Sequence, residues 1–137
     1  MKVFDFPFLR PRNPRAVALN AMLILLDPAH GHNTPGKRSP DGTLLEYAYT
    51  RDLANQILAA LKTKGHNAQL LVPETEDIPL KERVRRVNAH CPAVLIENFF
   101  MDNKQDLAYL LSQEGRREII ETIIDGIERC VLTLVSG

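Results

Sequence analysis

Three residues of this chain have types and positions suited to metal-assisted hydrolysis. They are His30, which follows the apolar run Leu23 to Leu26 and Asp27-Pro28-Ala29; Glu46, sixteen residues later; and Glu97, which closes a second apolar run, Ala93-Val94-Leu95-Ile96. Neutral imidazole is a standard ligand for zinc, and a carboxylate can serve as a ligand or as a general base. Each residue also has a plainer structural reading. A histidine after a strand can cap a carbonyl, and a glutamate in a first helical turn interacts favourably with the helix N-terminus. Glu97 is harder to set aside, because an acid at the end of a buried strand needs a partner. Asn98 and Asn103 could orient a substrate, but strand-end and helix-cap roles account for them as well.

These groups require elements that bring them to one edge of a sheet. Continuous apolarity from Leu23 to Leu26 suits a strand covered on both faces, and Pro28 and Gly31 prevent its continuation. Gly31 to Thr43 contains glycine at 31, 36 and 42 and proline at 35 and 40, so it is expected to form a long loop over that strand end. Lys37 and Arg38 in the loop could meet an anionic part of a substrate, or could simply be solvated. A helix is expected over Leu45 to Lys64, with a stripe of Leu53, Ala54, Ile57, Leu58 and Leu61 and a stop at Gly65. Ala68 to Val72 reads as a strand. After Asp77 and Pro79 comes a second helix with Leu80, Val84 and Val87 on one face. Ala93 to Ile96 reads as a third strand, and Asp102 to Leu111 and Arg116 to Leu134 as helices. The alternation implies an α/β fold whose mostly parallel sheet is flanked by helices. In such sheets, ligands bind at the C-terminal ends of the strands.

The stretch from Leu23 to Leu61, LILLDPAHGHNTPGKRSPDGTLLEYAYTRDLANQILAAL, resembles the zinc-dependent N-acetylmuramoyl-L-alanine amidases, which cleave peptidoglycan. The similarity resumes at Asp77 to Arg83 and again from Pro92 to Gly126. It implies that His30 and Glu46 ligate zinc, and that Glu97 acts as general base and acid in cleaving the amide between N-acetylmuramic acid and L-alanine. The family carries a middle segment with a Ser-Ile-His-like motif, whereas here Val87-Asn88-Ala89-His90 runs directly into Cys91-Pro92. Relative to the family, the domain from 23 to 137 therefore reads as truncated, with an internal deletion near 90–91, and residues 1–22 as an N-terminal extension. The third zinc ligand lacks a counterpart. His32, in the loop, is the nearest substitute, while His66 and His90 fall at the opposite edge of the sheet. A shortened sheet also leaves open edges, through which the chain could form a homo-oligomer.

With 137 residues, 45% of them hydrophobic, the chain can build one core. Seventeen basic residues balance seventeen acidic ones, which gives no indication of a nucleic-acid or membrane partner. Cys91 and Cys130 are too few and too irregularly placed for a disulfide framework. Met1 to Arg15 contains no apolar core long enough for a secretory signal, so the expectation is cytoplasmic synthesis, with action on the cell wall after release by other means, as for phage lysins. Two functional readings follow, a zinc amidase and a chain that keeps the fold and binds cell-wall peptide without cutting it. A phosphate-binding module does not fit, because Gly31 to Gly42 lacks the phosphate-loop spacing.

Overall fold

The computed structural model describes residues 22–89 and 101–136. The expected strand at 93–96, together with His90, Cys91, Glu97 and Asn98, lies outside the described residues, as do residues 1–21.

Strand β1 (Leu23–Leu26) is followed by helix α1 (Glu46–Thr63) and strand β2 (Asn67–Leu70), which pairs parallel to β1 from Leu23↔Asn67 to Leu26↔Leu70. A further backbone bond, from Leu71 N–H to the Leu26 carbonyl at 2.8 Å, extends the pairing past the strand end. Helices α2 (Leu80–Asn88), α3 (Lys104–Leu111) and α4 (Gln113–Ser136) complete the described elements. The expected α/β class is observed, as a small βαβ unit with helices packed on it. Among the described residues the sheet has two strands, and no helix is long and apolar enough to cross a membrane.

The core follows from the α1 stripe. Leu53, Ile57 and Leu61 are buried with Tyr49 against Ala68 of β2 and against Ile119, Ile123 and Ile124 of α4. Gly65 ends the helix at a φ of 87°, a left-handed conformation that costs glycine no steric penalty. Helices α3 and α4 differ slightly from expectation, because α4 starts at Gln113 instead of Arg116. Asn103 caps α3 by accepting from the Gln105 and Asp106 amides, and Ser112 marks the break by accepting from Gly115 N–H at 2.9 Å.

Helix α2 forms where the sequence places it, directly after Asp77 and Pro79. Of the face that carries Leu80, Val84 and Val87, Leu80 is 75% exposed, Val84 48% exposed and Val87 half-buried, and the one buried residue of the helix is Arg83. The reason lies in where acceptors are available. At the C-terminal end of the sheet, Arg83 meets the Ile78 carbonyl and two aspartates, and Arg86 donates to the Leu71 carbonyl at 3.0 Å and to the Glu74 carboxylate. A guanidinium can be buried only where such partners exist, so ion pairing sets the rotation of this short helix against its apolar stripe. The bond to Arg86 holds the Glu74 carboxyl at about 2, and bonds to Arg85 and Arg86 hold Glu82 at about 2 as well.

These burial differences set an expected contrast in stability. Leu61→Ala empties a fully buried site and is expected to cost about 2–5 kcal/mol, while Leu80→Ala is expected to stay within about 0.5 kcal/mol. Urea midpoints of the two variants test this, and a large loss at Leu80 would contradict its outward placement.

Candidate functional site

The end of β1 is turned sharply. Pro28 is fully buried, and its carbonyl accepts the Thr50 hydroxyl of α1 at 2.7 Å, which ties the strand end to the helix. Ala29 then adopts φ 61°, a left-handed conformation unusual for a residue with a Cβ. Its N–H donates to Asp27 Oδ1 at 3.0 Å, closing the turn around the aspartate side chain. His30 follows at once.

Glu46 is the first residue of α1, and its N–H donates to the Lys37 carbonyl at 3.1 Å. The structure brings the two expected ligands together, with His30 Nε2 3.6 Å from Glu46 Oε1 and their side chains 30% and 23% exposed. That separation is too long for a hydrogen bond. Two donors each about 2.0–2.1 Å from a tetrahedral zinc would stand roughly 3.4 Å apart, so a nitrogen and a carboxylate oxygen in this arrangement fit a shared ion. Among the described residues, no group of three His, Cys, Asp or Glu side chains converges in the way a complete metal site requires.

The two other described histidines, His32 and His66, are engaged elsewhere. His32 Nδ1 is 3.1 Å from the Thr75 carbonyl, and its ring meets Tyr47 edge-on at 6.1 Å. Since a carbonyl only accepts, the proton of that bond sits on Nδ1. The structure does not join His32 to the His30 and Glu46 pair as a third ligand. His66 is bonded to Glu128 at 3.3 Å, beyond the other end of α1, with its side chain 7% exposed. Lys37 and Arg38 are exposed, and the loop that carries them is pinned by an antiparallel bridge from Arg38 to Leu45 and by the buried Ser39, whose hydroxyl accepts Leu44 N–H at 3.0 Å. Asn103 has its cap role, as the sequence allowed.

Sequence reasoning missed the latch that holds the His30 turn. Asn33 Oδ1 accepts Asp77 N–H at 2.8 Å, the Thr34 hydroxyl donates to Asp77 Oδ2 at 2.6 Å, and His32 N–H donates to the Thr75 carbonyl at 2.9 Å. The Thr34 bond, followed by the Arg83 guanidinium, holds the Asp77 carboxyl below the usual carboxylate range. Gly31 lies directly beneath this crossing, where an added Cβ would sit 2.0 Å from Asp77 N. The available signals were the glycine after His30 and the aspartates at 27 and 77, but residues more than 40 positions apart gave no hint of their pairing.

A sequence model of a protein family described as N-acetylmuramoyl-L-alanine amidase matches residues 24–91 and, in a second segment, residues 87–129. Two partial segments that meet at 87–91 are consistent with a truncated family member. No curated protein and no solved structure matches the chain.

Proposed function

Since the chain belongs to the N-acetylmuramoyl-L-alanine amidase family, whose members act on peptidoglycan, we propose that it is a zinc-dependent hydrolase of the amide between N-acetylmuramic acid and L-alanine. The observation that supports this most directly is the approach of His30 Nε2 to Glu46 Oε1 at 3.6 Å, a spacing suited to two ligands of one ion. Zinc held there would supply Lewis acidity toward the scissile carbonyl and toward an attacking water.

The protein residues divide the remaining work. His30 presents a neutral nitrogen from the end of β1, and Glu46 presents a carboxylate from the first turn of α1. Water adds to the amide carbonyl carbon as Glu97 takes one of its protons. Collapse of the tetrahedral adduct breaks the C–N bond while Glu97 returns the proton to the leaving L-alanine nitrogen, so a muramic carboxylate and a free amine result. Glu97 lies outside the described residues, and its role is carried by its match to the family pattern.

The metal is tested by titrating zinc in competition with a chromophoric chelator. The wild type is expected to take up one equivalent, and His30→Ala and Glu46→Gln to lose it, because each removes one of the two converging donors. Equal uptake by all three proteins would overturn the assignment.

One observation favours a second reading, a chain that binds cell-wall peptide without cutting it: no three ligands converge among the described residues. Release of free amino groups from peptidoglycan distinguishes the two readings.

A further inference from the structure

We propose that Arg83 is a positioning residue for the His30 and Glu46 pair, acting through the two aspartates that fix opposite ends of the turn carrying His30. The proposal rests on the metal-site reading given above for its functional consequence, and on hydrogen-bond geometry for its structural one.

Arg83 has side-chain exposure of only 9% and makes contacts in three directions. Its Nε donates to the Ile78 carbonyl at 2.8 Å, its Nη1 to Asp27 Oδ1, and its Nη2 to Asp77 Oδ1 at 3.1 Å. A guanidinium can span these acceptors because its donors are fixed in a planar fork.

Each aspartate then passes the restraint on. Asp27 Oδ1 accepts the Ala29 amide as well as Arg83, so the guanidinium fixes the carboxylate that closes the left-handed Ala29 turn immediately before His30. That left-handed turn is unfavourable for a residue with a Cβ, and it persists only where the surroundings impose it. Asp77 uses its other oxygen to accept the Thr34 hydroxyl, and Thr34 Oγ1 in turn accepts Gly31 N–H at 3.1 Å. The turn is thus gripped at Asp27 and Ala29 before His30, and at Gly31 and Thr34 after it.

Without the guanidinium, two like charges would remain at the mouth of the turn, next to the ligand pair. The rotation of α2 agrees with this role. The helix leaves Leu80 and Val84 in solvent and turns Arg83 inward as its one buried residue, so Arg83, together with the Arg86 bonds to Leu71 and Glu74, docks it.

The test compares wild type with Arg83→Gln, Arg83→Lys and Thr34→Val by amide hydrogen exchange without metal and by zinc titration. In Arg83→Gln, protection is expected to fall at the Ala29, Gly31 and His32 amides while Leu53 and Ile57 of α1 stay protected, and zinc affinity is expected to fall by about 10–100-fold. Arg83→Lys should recover only part of both, since an ammonium cannot span the acceptors as a fork does. Should Arg83→Gln fail to fold, Thr34→Val decides the matter, because it severs the Asp77 arm without leaving a buried charge. For that variant, lost protection at Gly31 together with weakened zinc binding supports the proposal.

Unchanged protection in the turn overturns the proposal, as does protection lost equally in α1, which would mark Arg83 as a general stabiliser. If the wild type binds no zinc, the metal-site reading fails, and the exchange pattern alone decides the role of Arg83.

Discussion

Gly31→Ala is expected to disrupt the site more than any other single-methyl change in the described residues. A Cβ at position 31 would lie 2.0 Å from Asp77 N, 2.3 Å from Glu76 C and 2.6 Å from Asp77 Cα, all of them backbone atoms that cannot rotate aside. Relief requires the segment at 75–77 to lift away, which breaks the Asn33, Thr34 and His32 bonds to it together. Overpacking typically costs about 1–3 kcal/mol, and this position belongs at the top of that range or above it. Gly36→Ala and Gly42→Ala serve as controls: both residues have positive φ, but open space surrounds their Cβ positions, so they should lose only the roughly 1–2 kcal/mol of a left-handed alanine. Urea denaturation of the three variants gives the ranking. If Gly31→Ala falls no lower than the controls, the close approach of 31 to 77 is not present in solution.

Glu97→Gln carries the largest expected effect on rate. The substitution keeps size and hydrogen bonding but would remove the proton transfer proposed for Glu97, and such transfers contribute about a hundredfold to ten-thousandfold. With zinc matched between wild type and variant, release of L-alanine amino groups from peptidoglycan should fall by that factor while the metal stays bound by His30 and Glu46. Equal, nonzero rates would remove Glu97 from the chemistry. No release by a folded, zinc-loaded wild type would select the non-cutting reading.

Local patterns alone determined several features of this protein. The stripe of Leu53, Ile57 and Leu61 placed α1 to within a residue at either end, because a 3.6-residue period and a glycine stop are local signals. The apolar run before Pro28 located β1, and the family-like residues around His30 and Glu46 pointed to one site, where the fold does bring the two side chains together. The family itself was legible from the same residues.

Tertiary structure decided what depended on partners distant in sequence. The apolar positions of α2 put Leu80, Val84 and Val87 on one face without saying where that face points, and acceptors contributed by Asp27, Asp77 and Leu71 turned Arg83 and Arg86 inward and left Leu80 and Val84 exposed. Periodicity measures the preference of a helix for some apolar environment. It does not register that two carboxylates and a backbone carbonyl wait at the end of a sheet, and for a nine-residue helix those acceptors outweighed two aliphatic side chains. The same holds for the His30 turn. Its glycine, its left-handed alanine and its latch to Asp77 are set by where residues 75–77 cross the strand end, a spatial fact that no spacing in the chain encodes.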